Sequence, residues 1–204
     1  MPRSWIVSLA LAMMLAAASA APAAPASAVQ GDPAAIAELL AALEKFNALR
    51  TWRARMTLVG QNAPPIVFSS AGPGRTQMTI GTGGAAQHMY ILEGVGTWIQ
   101  QGTQCSRLPA GAAPPGPSRA DADPGARREG TVTITRGDRQ TLDGVPTQTY
   151  LMIVESQSGR SQMKYYVDPA VALPKRMEVQ SERGTIAFDY YDYNAPIVIN
   201  NPPC

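Results

Sequence analysis

The chain has 204 residues, 45% of them hydrophobic and 16% charged, and its 17 basic and 15 acidic side chains give a formal net charge of +2. A balance so near neutral leaves no concentrated basic patch, which excludes nucleic acid as a partner. With one histidine and two cysteines, and no spacing of carboxylates, hydroxyls or glycines that builds an active site, the chain reads as a binder rather than an enzyme, using neither cofactor nor metal.

Residues 1–28 open with Arg3, continue with the apolar run from Trp5 to Leu15, and carry Ala-x-Ala at Ala18–Ala20 and Ala26–Ala28. That order is an export signal, cleaved after Ala20, Ala24 or Ala28 and leaving at most an Ala/Pro/Ser remnant that packs no core. The run is shorter than the ~20 residues that cross a bilayer, and no later stretch approaches that length. The mature chain is therefore expected to be soluble in the periplasm, monomeric and without a transmembrane segment. Residues 29–204 form one domain.

Asp32 before Pro33 is an N-cap signal, and Ile36, Leu39, Leu40, Leu43 and Phe46 recur at helical spacing, which predicts one amphipathic helix over about Pro33 to Leu49. From Trp52 the period becomes two. Ala54, Met56 and Leu58 alternate with polar residues, and short strands follow at Ile66–Ser70, Gln77–Ile80, Gln87–Leu92, Thr97–Gln101 and Gln104–Leu108, with Gly/Pro turns between them. Pro109 to Glu129 holds five prolines and three glycines and interrupts the sheet as a loop. Strands resume at Thr131–Thr135, with Arg136-Gly137-Asp138 as a strand-ending turn. A pair flanks Gly144-Val145-Pro146, and the last strands cover Gln148–Glu155, Gln162–Val167, Lys175–Ser181 and Thr185–Tyr193.

About ten strands at ~4.8 Å spacing make a sheet ~45 Å wide, whereas a helix covers ~10 Å. The expected fold class is thus α+β, mainly β: a strongly curved antiparallel half-barrel of about 10–11 strands, with the N-terminal helix on its concave face. An apolar inside that one helix cannot cover is a ligand cavity in prospect. Its candidate lining is Leu40, Leu43, Met56, Leu58, Met89, Ile91, Trp98, Met152, Val154, Met177, Val179, Ile186 and Phe188, with Met163 and Val167 in the same pattern. Such a lining suits acyl chains, a lipid or the lipid part of a lipoprotein.

The C-terminal run carries Val167-Asp168-Pro169, Leu173-Pro174-Lys175-Arg176 and Tyr191-Asp192-Tyr193-Asn194-Ala195-Pro196-Ile197-Val198-Ile199-Asn200-Asn201-Pro202. Upstream, Leu92-Glu93-Gly94-Val95-Gly96-Thr97-Trp98 forms a Gly-turn hairpin ending in Trp. Together these segments resemble the LolA-like family of periplasmic lipoprotein carriers, and the order of one helix followed by a meander extends the resemblance over nearly the whole mature chain. The resemblance implies a half-barrel and a role as lipid or lipoprotein carrier. Its alternative is an envelope-stress sensor or protein-interaction module with an inner- or outer-membrane protein as partner. The chain departs from the family where carriers place lid helices: here Pro109–Glu129 is too rich in proline for a long helix.

Other signals have ordinary readings. His88, beside Tyr90 and Leu92 at strand spacing, lacks a second histidine for a metal site. Asp189 and Asp192 fall on opposite faces of a strand, which suits pairing with nearby Arg or Lys rather than acid–base chemistry. Cys105 and Cys204, in an exported chain, are expected to form one disulfide. Its loop of about 100 residues corresponds to ~4–5 kcal/mol in the chain-entropy account. An Ellman titration of denatured, unreduced protein should accordingly find no free thiol; two free thiols would remove the bridge.

Overall fold

The computed structural model describes residues 28–72, 74–109, 130–156, 159–181 and 184–202. The expected export signal through residue 27, residues 110–129 of the Pro/Gly-rich connection and Cys204 lie outside them. Among the described residues, twelve strands form one open, curved sheet in the order β1-β8-β9-β10-β11-β12-β2-β3-β4-β5-β6-β7. The strands are β1 (Ala28–Gly31), β2 (Thr51–Leu58), β3 (Ile66–Ala71), β4 (Arg75–Ile80), β5 (Gln87–Leu92), β6 (Gly96–Gln101), β7 (Gln104–Arg107), β8 (Gly130–Leu142), β9 (Val145–Ser156), β10 (Gly159–Asp168), β11 (Leu173–Ser181) and β12 (Gly184–Tyr191). Every pairing is antiparallel except β1 with β8. The α+β, mainly β class is therefore correct.

The helix α1 (Pro33–Asn47) begins where Asp32 caps it: Oδ1 of Asp32 accepts from the backbone N–H of Ala34 at 2.9 Å, satisfying one of the orphan donors of the first turn. Its apolar stripe of Ala35, Leu39, Ala42 and Leu43 packs on Val132 and Ile134 of β8, Tyr150, Met152 and Val154 of β9, and Met163, Tyr165 and Val167 of β10. Alternation on the strands puts all of these on one side of the sheet. Phe46 and Leu49, at the C-terminal end of the helix, join a second cluster with Trp52, Phe68, Met78, Phe188 and Tyr190.

Two local readings are corrected. Ala28 is not remnant but the first residue of β1, whose pairing with β8 satisfies backbone groups that its Ala-Val-Gln-Gly sequence gave no sign of. Gly31 closes that strand with φ 126°, where a Cβ would lie 1.9 Å from the Ile134 carbonyl oxygen, so only glycine fits. Arg136-Gly137-Asp138 is no strand end: the register shifts between Arg136 and Arg139 within the single 13-residue strand β8. Gly137 and Asp138 form a β-bulge, their carbonyls accepting from Gln148 Nε2 at 2.5 Å and Thr149 Oγ1 at 2.7 Å. The turn that does end β8 is Asp143–Gly144, with φ of 51° and 78°, the two positive values that a tight hairpin turn requires.

The motif residues of the C-terminal run are the joints of this sheet. The Asp168 side chain accepts from the Ala170 N–H at 2.8 Å to form the β10–β11 turn. The Tyr193 hydroxyl donates to the Pro174 carbonyl. Asp192 and Asn194 both take φ of 55°, which short polar side chains tolerate. Beyond them the tail crosses the side of the sheet away from α1. Ile197 and Ile199 are buried against Leu92, with Tyr90, Trp98 and Ala71 packed around them. Arg75 fixes the strap by donating to the Ile199 carbonyl at 3.1 and 2.7 Å. Truncating Leu39, which is 0% exposed at the helix–sheet seam, to alanine should cost ~3 kcal/mol, read as a lowered urea midpoint with unchanged slope.

Candidate functional site

Cross-strand register aligns the residues on the α1 side into rows. One row runs Tyr150, Tyr165, Met177, Phe188, Met56, Ile66 and Ile80, each directly opposite the next. A second, two residues away along the strands, runs Ile134, Met152, Met163, Val179, Ile186 and Leu58. The third runs Tyr190, Ala54, Phe68, Met78, Met89 and Ile99. On β12 and β2 through β7, every position on this side is uncharged, with Ser70, Thr76, Thr97, Ser106 and three glutamines the polar ones. The opposite side of the same strands carries Arg53, Arg55, Arg75, His88, Arg107 and Asp189.

Burial divides these rows. Where α1 lies over β8, β9 and β10, the side chains are fully packed. Beyond that cover, Met177, Val179, Ile186, Met56, Leu58, Ile66, Ile80, Met89, Ile91 and Ile99 are all only half-buried. The result is an apolar, uncharged face beside the helix, several strands wide.

Of the residues singled out from sequence, Met56, Leu58, Met89, Ile91, Met177, Val179 and Ile186 meet on this half-buried face. Phe188 is in the same rows but buried. Met152, Val154 and Leu43 are also on the α1 side, at 2%, 3% and 3% exposure, as part of the seam with the helix. Leu40 is 36% exposed on the helix surface. Trp98 does not join them. It lies on the opposite side, under the tail, where the Arg107 guanidinium stacks on its ring at 5.5 Å. Ile66, Ile80 and Ile99 complete the face and were not singled out. Alternation supplies the signal: Ile66 with Phe68, Met78 with Ile80, and Thr97 with Ile99, the last opposite Met89. A cleft of about 780 Å³ lies elsewhere, at the β5–β6 turn, lined by Leu92, Val95, Thr97, Arg107, Leu108 and neighbouring residues; none of the singled-out residues lines it.

The helix is latched along one flank. Glu38 pairs with Arg136 of β8, and the Tyr150 hydroxyl of β9 donates to Glu38 Oε2 at 2.6 Å. Lys45, on the same flank, donates to the Val171 carbonyl at 2.6 Å. Hydrogen bonds from Arg136 and then Tyr150 hold the Glu38 carboxyl below its usual range. Burial, reinforced by Glu38, pushes the Tyr150 hydroxyl up to about 12. Deep burial likewise drives the Tyr190 phenol far above its ordinary value, consistent with its packing among Phe46 and Trp52.

The remaining polar signals resolve into structure. Thr79 Oγ1 and a His88 ring nitrogen are 3.1 Å apart across β4–β5. Asp189 accepts from Arg176 at 2.5 Å and Asp192 from Arg53 at 2.7 Å. Cys105 stands on β7, an edge strand of the sheet. No helix of the described residues is long and apolar enough to cross a membrane.

Neither a family model nor a curated protein matches the chain. Solved structures do. LprF from Mycobacterium bovis aligns at TM-score 0.61 and 16% identity, over 84% of this chain and 98% of that one. The Mycobacterium tuberculosis lipoprotein LppX aligns at TM-score 0.61 and 14% identity, over 83% and 100%. A LolA superfamily protein from Nitrosomonas europaea is more distant, at TM-score 0.34 and 13% identity over 81% and 94%. The fold is thus the one shared with LprF and LppX.

Because the Glu38 pKa is lowered in the fold, the latch contributes stability above the unfolded carboxylate pKa of about 4.3 and loses it as pH falls through the lower folded value. The pair is exposed, so the effect stays under ~1 kcal/mol. Urea unfolding should show Glu38→Gln less stable than the parent at neutral pH and equal to it well below the carboxylate range.

Proposed function

We propose that the protein is a periplasmic, non-enzymatic binder that holds the acyl chains of a lipid or lipoprotein on the uncovered apolar face, with α1 seated on the concave side of the sheet. The observation that supports this reading is the run of half-buried, uncharged side chains over β11, β12 and β2–β6. Apolar patches of this extent on a single chain ordinarily mark a binding surface. Association there needs no charged anchor, since each buried methylene contributes ~0.8 kcal/mol. Five methionines and isoleucines at its centre, Met56, Met177, Met89, Ile66 and Ile80, make a surface that adapts to chains of different shape. The fold shared with LprF and with the Mycobacterium tuberculosis lipoprotein LppX is compatible with it, and the expected export signal would deliver the chain to an envelope compartment.

Titration with a fluorescent fatty acid or a lysophospholipid should give a saturable change in probe or tryptophan emission. Met56→Lys and Met89→Lys each place a charge on the face at positions solvent already reaches, so the fold should survive, by circular dichroism, while affinity falls more than ~10-fold because the charge must be desolvated beneath the chain. An absence of saturable binding, or charged variants that bind as the parent does, would sink the proposal.

A further inference from the structure

The uncharged face opens toward one end of its strands. Because successive neighbours are antiparallel, the β2–β3, β4–β5 and β6–β7 turns gather at the same end of the sheet. Those turns, residues 59–65, 81–86 and 102–103, contain no charged side chain. Between Leu58 and Ser106 the sequence has only Arg75 and Glu93, both at the other end, and His88, which faces the opposite side of the sheet. Exposure rises along the strands toward these turns. Ala54, Phe68 and Met78 are 0 to 5% exposed, Met56, Leu58, Ile66 and Ile80 are half-buried, and Val59 is 54% exposed although its N–H donates to the Thr185 carbonyl at 2.9 Å. A methyl group at Gly60, Gly83, Gly84 or Gly102 would meet no atom of the described residues within 4 Å, so the turns stand clear of them. The opposite end is closed: Phe46 and Leu49 pack there with Trp52 and Phe68, and the side chains of Glu93 and Arg107 crowd Gly74 and Gly96. Toward β9 and β10 the charges return with the Glu155–Arg160 pair, which bounds the uncharged rim.

We infer that this rim is the end by which an acyl chain enters and leaves the face, and that it does so seated on the surface of a neutral or zwitterionic lipid bilayer. An acyl chain that travels through water exposes each of its methylenes, whereas direct contact between the rim and a lipid assembly keeps most of them covered. Charged turns would lose hydration on meeting lipid. These turns hold only glycine, proline, alanine, valine and uncharged polar residues. With no basic side chain on it, the rim gains nothing from acidic headgroups, which sets it apart from an electrostatic membrane anchor. The inference rests on the acyl-binding reading above and assigns the partner with which that face exchanges its ligand.

Transfer of a fluorescent anthroyloxy-oleate from loaded protein to dioleoylphosphatidylcholine vesicles carrying a quencher separates contact from diffusion through water. The rate should rise in proportion to vesicle concentration, and should change little with added salt or when a minor part of the lipid is phosphatidylglycerol. Val59→Asp and Ala85→Asp, both at exposed positions, should each lower that slope ~10-fold because the added charge must be desolvated, while the probe's Kd in solution stays within about 2-fold of the parent's. Val95→Asp, at a position 46% exposed at the opposite end, should leave slope and Kd unchanged. A rate independent of vesicle concentration, variants of the rim that transfer as the parent does, or a Val95→Asp slope lowered as far as theirs overturns the docking surface while acyl binding stands. A rate that climbs with the acidic lipid overturns its neutral character. A slope that appears only with vesicles containing envelope proteins also overturns it, and gives the rim to a protein partner. Failure of the parent to bind the probe overturns this inference together with the reading it rests on.

Discussion

The fold depends on a mismatch of widths between one helix and its sheet. Twelve strands at ~4.8 Å spacing span more than ~50 Å along the hydrogen-bonding direction, and a helix with its side chains covers ~10 Å. The seam of Ala35, Leu39, Ala42 and Leu43 on β8–β10 is as tightly packed as any protein interior, with exposures from 0 to 3% on the helix side. That seam uses up the helix's apolar stripe. Curvature brings further strands under its end, where Phe46 and Leu49 reach the second cluster, but Met56, Ile66, Ile80 and Met89 are packed on one side only. The half-buried state of the face follows from this geometry and needs no special sequence beyond ordinary alternation.

The other side of the sheet solves the same problem differently. There the strands carry arginines, glutamines and threonines, and the apolar side chains of Leu92, Tyr90 and Trp98 are covered by the tail. Ile197 and Ile199 point inward while Val198, at 77% exposure, points out, the alternation of a strand without its ladder. In place of the ladder, Arg75 donates to the Ile199 carbonyl and to Asn201 Oδ1, and Thr51 Oγ1 donates to the Ala195 carbonyl at 2.6 Å. Among the described residues, the tail thus covers one face while the other stays half-buried.

These two faces explain what could be read from the residues and what could not. The helix, its cap and the meander were legible because Asp32–Pro33, the 3.6-residue spacing and the Gly turns each act locally. The face was legible strand by strand, since Met56, Met89, Met177 and Ile186 alternate with polar neighbours. Which faces align is set by register across turns, and this is where Trp98 went astray. The β5–β6 turn pairs Leu92 with Gly96 and Met89 with Ile99, so the large aromatic falls behind the sheet and the isoleucine in front. The β1–β8 pairing and the β8 bulge were illegible for a related reason: both are satisfied by partners more than ten residues away, Ile134 for Gly31 and Thr149 for Asp138.

The helix is held by two different kinds of contact, and that arrangement has a mechanical consequence. The polar ties of Glu38 and Lys45 hold the β8–β11 side with bonds that are directional and short. Away from those ties, Ile36, Met177 and Val179 are half-buried and pack against the helix–sheet cluster, contacts that are non-directional and change little as the spacing varies. The polar ties therefore fix the orientation of α1, while the buried seam over β8–β10 holds it to the sheet.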